Sequence, residues 1–190
     1  MIQNDTDNME SALSATLITG KALERYFELN EALAEFTHQF QQEKNERAAA
    51  ILGGAFLDTL LQHSLVNFLV DDLKEVERLL AYDKPLGTYG GRISFAYCLG
   101  LIGKIVRDDL RLVGKIRNRF AHDLRASFDA DPIRGWVLSL KWHEELMFMK
   151  APAEATPVDI FQVGVNTLIC HLNGIVSIAR GQKRVIREGT

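Results

Sequence analysis

Hydrophobic side chains recur along most of the chain at spacings of three and four residues, the period that predicts helices. Residues 11–41 carry regularly spaced leucines and phenylalanines and no proline, so they predict one helix, or two that meet at Gly20. Residues 46–70 are apolar on nearly every side except for one polar strip, which predicts a central helix. A short helix is expected to follow at residues 72–80.

The same pattern continues through the second half of the chain. Residues 82–91 contain one proline and three glycines, which predicts a loop before a buried helix at residues 93–102. An amphipathic helix is expected from residue 104 to about residue 120, and the dipeptide at 131–132 is a typical helix start. At residues 136–142, large apolar side chains occupy every second position, as they would in a strand. A helix is favoured because no partner strand is evident.

A capped helix start is expected near the end of the chain, where Thr156, Pro157 and Asp159 precede a last helix at residues 158–180. No repeat or linker divides the helices. The sequence therefore predicts an all-α fold, a single-domain helical bundle of about six to seven helices. This domain is expected at residues 11–181, between a flexible tail at 1–10 and a basic, solvated tail at 182–190.

Composition and charge limit the functions that fit such a bundle. Of 190 residues, 47% are hydrophobic and 25% are charged, which suits one globular core. The formal net charge is −3, whereas dedicated nucleic-acid-binding domains are usually basic. Cys98 and Cys170 lie in apolar stretches and are expected to be small, buried side chains in a reducing compartment.

Other features of the sequence point to a cytoplasmic protein without cofactors. The N-terminus has acids and amides where a signal peptide needs a basic and then an apolar segment. Polar residues interrupt the most apolar stretch, so we interpret it as a core helix that does not span a membrane. No spacing of histidines, cysteines or acids indicates a metal site, and no cofactor is expected.

The most informative segment is the amphipathic helix expected at residues 104–122. At about 100° per residue, its apolar side chains fall on one arc, and Arg117 falls within that arc. Basic residues recur along the opposite face, called here the basic ridge: Lys104, Arg107, Arg111, Lys115 and Arg119. The ridge is a candidate surface for phosphates or a protein partner, and a solvated face explains it as well.

Two charged side chains are expected to point into the core. Asp58 projects on an apolar side of the helix at residues 46–70, as Arg117 does in its own helix. An unpaired charge in a protein interior carries a large desolvation penalty. We therefore expect Asp58 and Arg117 to form a core polar pair.

Several segments resemble a known family. Arg117, Asn118 and His122 match the HEPN pattern of an arginine, four to six residues and a histidine. Wider agreement, over nearly the whole chain beyond the first helix, resembles the mannitol operon repressor family; it comes from residues 46–61, 86–102, 116–123 and 159–172. This resemblance implies an all-helical, HEPN-like regulator of mannitol uptake and utilisation genes that acts with another protein and lacks a conventional helix-turn-helix.

The HEPN pattern also implies an alternative, an RNA-binding protein or a metal-independent ribonuclease. In that case His122 would move a proton, Arg117 would stabilise phosphorane charge, and Asn118 would orient the imidazole. On a continuous helix, however, the side chains at 117 and 122 diverge by about 140°, so they converge only if the helix ends or bends near Phe120. We favour structural roles for both residues.

The leading interpretation is thus a cytoplasmic, non-enzymatic regulator that binds another regulatory protein. The protein could also form a homodimer. Direct DNA binding is expected to be weak or absent, so a repressor that binds DNA directly ranks third among the interpretations, after the partner-binding regulator and the RNA-binding or RNA-cleaving protein.

Overall fold

The computed structural model describes residues 21–141, 154–187 and 189. These residues form seven α-helices and no strand, which confirms the predicted all-α bundle. The helices are α1 (Lys21–Gln42), α2 (Glu46–Phe68), α3 (Leu73–Leu80), α4 (Tyr89–Cys98), α5 (Lys104–His122), α6 (Ile133–Leu138) and α7 (Pro157–Gly181). The expected N-terminal tail, Gly20 and Trp142 lie outside the described residues.

The chain divides into two compact units, at residues 1–38 and 39–190. The described part of the first unit is the segment of α1 up to His38. The second unit contains α2 to α7 and all the candidate site residues. The expected boundaries of a single domain at 11–181 stay a prediction.

The core of the second unit is built on α2 and α7, which run parallel to each other. In their N-terminal halves, a Cβ added to Gly53 would lie 3.2 Å from Val165 Cγ1. Near their last turns, the Arg180 guanidinium donates a hydrogen bond to Asn67 Oδ1 at 3.3 Å. Both helices are long and apolar enough to cross a membrane by length and composition alone, as central helices of globular bundles also are.

Side-chain caps fix where several helices begin. The Asn45 side chain accepts a hydrogen bond from the Ala48 N–H, and Thr156 with Asp159 forms the expected capping box of α7. The Thr88 hydroxyl accepts from the Gly91 N–H, so α4 starts at Tyr89, inside the segment that was expected to be a loop. This helix also ends early, at Cys98, shortly before Gly100 adopts a left-handed φ of 73°.

The expected burial of the two cysteines is wrong. Cys98 and Cys170 are exposed free thiols, because each lies on the outer face of its helix. The basic tail is exposed at residues 184–187, and two contacts attach its start: the Arg184 N–H donates to the Phe68 carbonyl at 2.8 Å, and the Lys183 ammonium lies 2.9 Å from Asp71. The parallel course of α7 delivers the tail to the end of α2, where helix carbonyls need donors.

Residues after α5 follow the prediction in part. The helix favoured for residues 136–142 forms only at 136–138, as the end of α6, which begins after Pro132; residues 139–141 are not helical. Just beyond α6, the buried Asp109 carboxylate of α5 accepts from the Lys141 N–H, at 3.1 and 3.2 Å. This bond attaches the end of α6 to the middle of α5.

Candidate functional site

The Asp58 carboxylate of α2 pairs with the Arg92 guanidinium of α4 at 2.6 Å. The Arg92 and Asp58 side chains are 10% and 23% exposed, so water screens this pair only in part. The expected pair of Asp58 with Arg117 is therefore wrong. The physical reason is the early start of α4, which turns Arg92 inward opposite Asp58 and supplies the cation that Asp58 requires.

Arg117 is held by packing, by an aromatic ring and by a hydrogen bond, and not by an ion pair. Its aliphatic stem covers Gly54 of α2, where an added Cβ would lie 2.7 Å from Arg117 Cδ. Its guanidinium lies over the Tyr89 ring, 5.6 Å from the centroid, and donates to Asn118 Oδ1 at 3.1 Å. The side chain is thus half-buried, with its charge stabilised by an aromatic face and an amide oxygen.

Tyr89 is a buried ionisable group in this region. Its ring packs on α5 at Gly114, where an added Cβ would lie 3.0 Å from Tyr89 Cε1. Among the described residues, no hydrogen-bond partner reaches its buried hydroxyl. Burial, and then the Asp58 charge, raises the pKa of Tyr89, while the charge of Arg117 acts in the opposite direction. The phenol therefore stays neutral.

These side chains form one unit at the meeting of three helices, called here the polar cluster. Each helix contributes two positions about one turn apart, so that one side of each helix is committed to it. The members are Gly54 and Asp58 of α2, Tyr89 and Arg92 of α4, and Gly114 and Arg117 of α5. Contacts this close suit a role in joining helices.

Sequence reasoning missed Tyr89 and Arg92. Both were placed at or beside a glycine-rich loop, which removed them from consideration as inward-facing residues. The available signal was the spacing of Tyr89, Arg92, Ile93 and Ala96, which share one buried face of α4. A polar residue within that face would have indicated a buried partner for Asp58.

The candidate catalytic trio does not converge within the chain. α5 continues without interruption to His122, so the condition for bringing His122 beside Arg117 is not met. The two side chains diverge by about 140° on the helix. Asn118 accepts from Arg117 instead of contacting His122, which is exposed. The structure thus joins Arg117 with Asn118 and places His122 on another face.

The basic ridge is divided between paired and free cations. Arg107 lies 2.7 Å from the Asp108 carboxylate and 4.3 Å from the Tyr97 ring centroid, and Arg119 lies 2.9 Å from Asp123. The remaining members, Lys104, Arg111 and Lys115, are exposed and meet no carboxylate within the described parts of the chain. Arg111 donates to the Ser94 hydroxyl at 3.3 Å.

A fixed loop follows the end of α5. The Asp123 carbonyl accepts from the Arg47 guanidinium at 3.0 Å, and the Phe128 N–H donates to the Glu46 carboxylate at 3.1 Å. The Phe128 ring then packs into the core, 4.8 Å from that of Phe120. Between these attachments, Leu124 is 93% exposed. The loop therefore presents a large apolar side chain on a well-anchored backbone.

No group of three or more histidines, cysteines and acids that could hold a metal ion occurs in the described ranges. Two other histidines of the central helices, His63 and His171, are half-buried and interact with neighbouring groups. Burial lowers the pKa of His171, which keeps its imidazole neutral.

Comparisons with known proteins bear on the fold. No family profile and no curated protein matches the chain. Among solved structures, a chain of the MtlR–HPr complex from Escherichia coli is similar, with a TM-score of 0.54 and 22% identity. The match covers 78% of this chain and 98% of that chain. The protein is therefore an all-helical bundle. Its fold resembles that of the matched chain in the complex, which agrees with the family resemblance of the sequence.

Proposed function

We propose that this chain is a cytoplasmic transcriptional regulator of the mannitol operon repressor type. It lowers the expression of mannitol uptake and utilisation genes by contacting another protein, and it needs no DNA-recognition helix of its own. The observation that carries the proposal is the fold shared with almost the full length of a chain solved in the MtlR–HPr complex. The HPr of the same cell is accordingly the first partner to test.

Two features support protein contacts over direct reading of an operator. The shortest turn between described helices, residues 43–45, leads into α2, whose exposed strip carries no basic side chain that could contact phosphates: Ile51, Leu52, Ala55, Thr59 and Gln62. The formal net charge of −3 also opposes attraction to a phosphate backbone. The protein is proposed to be non-enzymatic, since Arg117 serves the polar cluster and His122 lies apart from it.

A promoter–reporter assay tests this function in cells. Deletion of the gene should raise expression from the mannitol promoter, and a plasmid copy should restore repression. Purified protein should give no specific shift of promoter DNA. A specific shift by the pure protein would support a direct repressor instead. RNA cleavage that is lost in His122→Ala would support the ribonuclease. Light scattering of the purified chain will determine whether it acts as a homodimer.

A further inference from the structure

The outer face of α5 carries a nearly straight line of basic and imidazole side chains. At about 100° per residue, Lys104, Arg111, Lys115 and His122 fall within about 40° of one another around the helix. At about 1.5 Å per residue, they span about 27 Å of its axis. His122 thus belongs to this line by position, although the HEPN pattern associates it with Arg117.

Charge along this line is uncompensated locally. Asp108 and Asp123 neutralise the flanking Arg107 and Arg119, whereas the cations on the line itself meet no carboxylate within the described residues. The chain as a whole is acidic, with a formal net charge of −3. An exposed row of positive charge on such a protein favours a partner surface of opposite sign.

Leu124 adds an apolar anchor two residues beyond His122. Its side chain is 93% exposed, yet the backbone on either side is held by Arg47 and Glu46 of α2. The Arg125 N–H also donates to Asp123 Oδ1 at 2.9 Å, which closes the turn around Leu124. A side chain on an ordered backbone loses little conformational entropy on binding. Most of the free energy gained by burying it therefore contributes to affinity.

We propose that Leu124 and the line of Lys104, Arg111, Lys115 and His122 form one docking face for a protein partner. The partner it fits has an apolar pocket for Leu124 beside a row of carboxylates for the α5 cations. This inference rests on the proposed function and names the surface through which it operates.

A protein fits this docking face better than a nucleic acid does. The α5 cations would attract phosphates as well as carboxylates, so charge alone does not separate the two kinds of partner. Leu124, however, would gain nothing from contact with phosphates, whereas a protein pocket can bury it. The exposed apolar anchor is thus the feature that favours a protein surface.

Binding of purified HPr to the full chain is the first test, by titration calorimetry at low and at physiological salt. Leu124→Asp should weaken binding about 30-fold, the worth of one buried leucine. The double variant Arg111→Glu with Lys115→Glu should weaken it about 10-fold or more at low salt, mainly by slowing association. Wild-type affinity in both variants would overturn the docking face while leaving the proposed function intact.

Matched controls exclude effects of net charge and surface polarity. Lys74→Glu with Arg134→Glu makes the same charge change at exposed sites on α3 and α6, and Leu138→Asp replaces another exposed leucine. Both controls should bind HPr within about twofold of wild type. If the controls lose as much affinity as the test variants, the docking face is refuted.

A second measurement covers the case in which HPr does not bind wild-type protein, which would count against the proposed partner. A photo-crosslinking amino acid is placed at Leu124, or at Leu138 as control, in cells grown on mannitol. An adduct with one acidic protein at position 124, lost when Arg111 and Lys115 are reversed, supports the face. Equal adducts at both positions, or none, overturn it. Duplex DNA or RNA binding that needs Arg111 and Lys115 but ignores Leu124→Asp would also overturn it.

Discussion

Removal of the Asp58 carboxylate leaves the Arg92 guanidinium without its anion inside the bundle. The Arg92 side chain is 10% exposed, its Nε has no hydrogen-bond partner in the described structure, and its one other acceptor, the Leu80 carbonyl, lies 3.5 Å away. Breaking a buried pair on one side costs about 3–5 kcal/mol. Because Asp58 itself is 23% exposed, we expect Asp58→Ala to lower the free energy of unfolding by about 2–3 kcal/mol.

A double-mutant cycle identifies the partner of Asp58. Replacing both members, in Asp58→Ala with Arg92→Met, removes the stranded charge and should return stability to within about 1 kcal/mol of wild type. The same cycle with Arg117→Met should be additive to within about 0.5 kcal/mol, since Arg117 contacts Tyr89 and Asn118 instead. Urea unfolding followed by circular dichroism measures each free energy.

The reasoning would be refuted by either of two results. One is an Asp58→Ala protein as stable as wild type, which would mean that the Arg92 charge is solvated. The other is strong coupling of Asp58 to Arg117 with none to Arg92, which would restore the pairing expected from the sequence.

Three further changes test other parts of the fold by the same unfolding assay. Gly114→Ala should lower stability by about 1–2 kcal/mol, because the added methyl presses on the Tyr89 ring, and unchanged stability would show that the ring is free to move. Thr156→Ala should cost about 1 kcal/mol through loss of the α7 cap, whereas Thr156→Ser should be nearly neutral. Burial lowers the pKa of His171, so below about pH 6.5 the unfolded chain binds a proton that the folded protein resists, and stability should fall. His171→Gln should weaken that fall, and an identical pH profile would contradict the assignment.

Patterns within single helices were predictable from the sequence. The amphipathic period of α5 placed its start at Lys104 and its end within two residues of His122, because the face that packs on the core must repeat with the helix. The cap of α7 was equally local, since Thr156 and Asp159 satisfy each other.

Contacts between distant segments were not predictable in this way. The choice between Arg92 and Arg117 as the partner of Asp58 depends on how α4 and α5 are placed against α2, and the glycine-rich start of α4 concealed one of the two cations. The docking of Arg184 on Phe68 depends likewise on the parallel course of α7 and α2. Exposure of Cys170 could not be read from an apolar stretch, because a helix that is apolar on all sides does not show which side is outward.

The central claim is that this chain regulates by binding a protein and not by recognising a DNA sequence. One binding experiment on a sensor surface tests both parts of this claim. The purified chain is immobilised, and HPr and mannitol-promoter duplex are passed over it in turn at physiological salt. The account predicts saturable, reversible binding of HPr and a response to the duplex no larger than that to a scrambled sequence. A duplex response specific to the promoter, with no response to HPr, would contradict it.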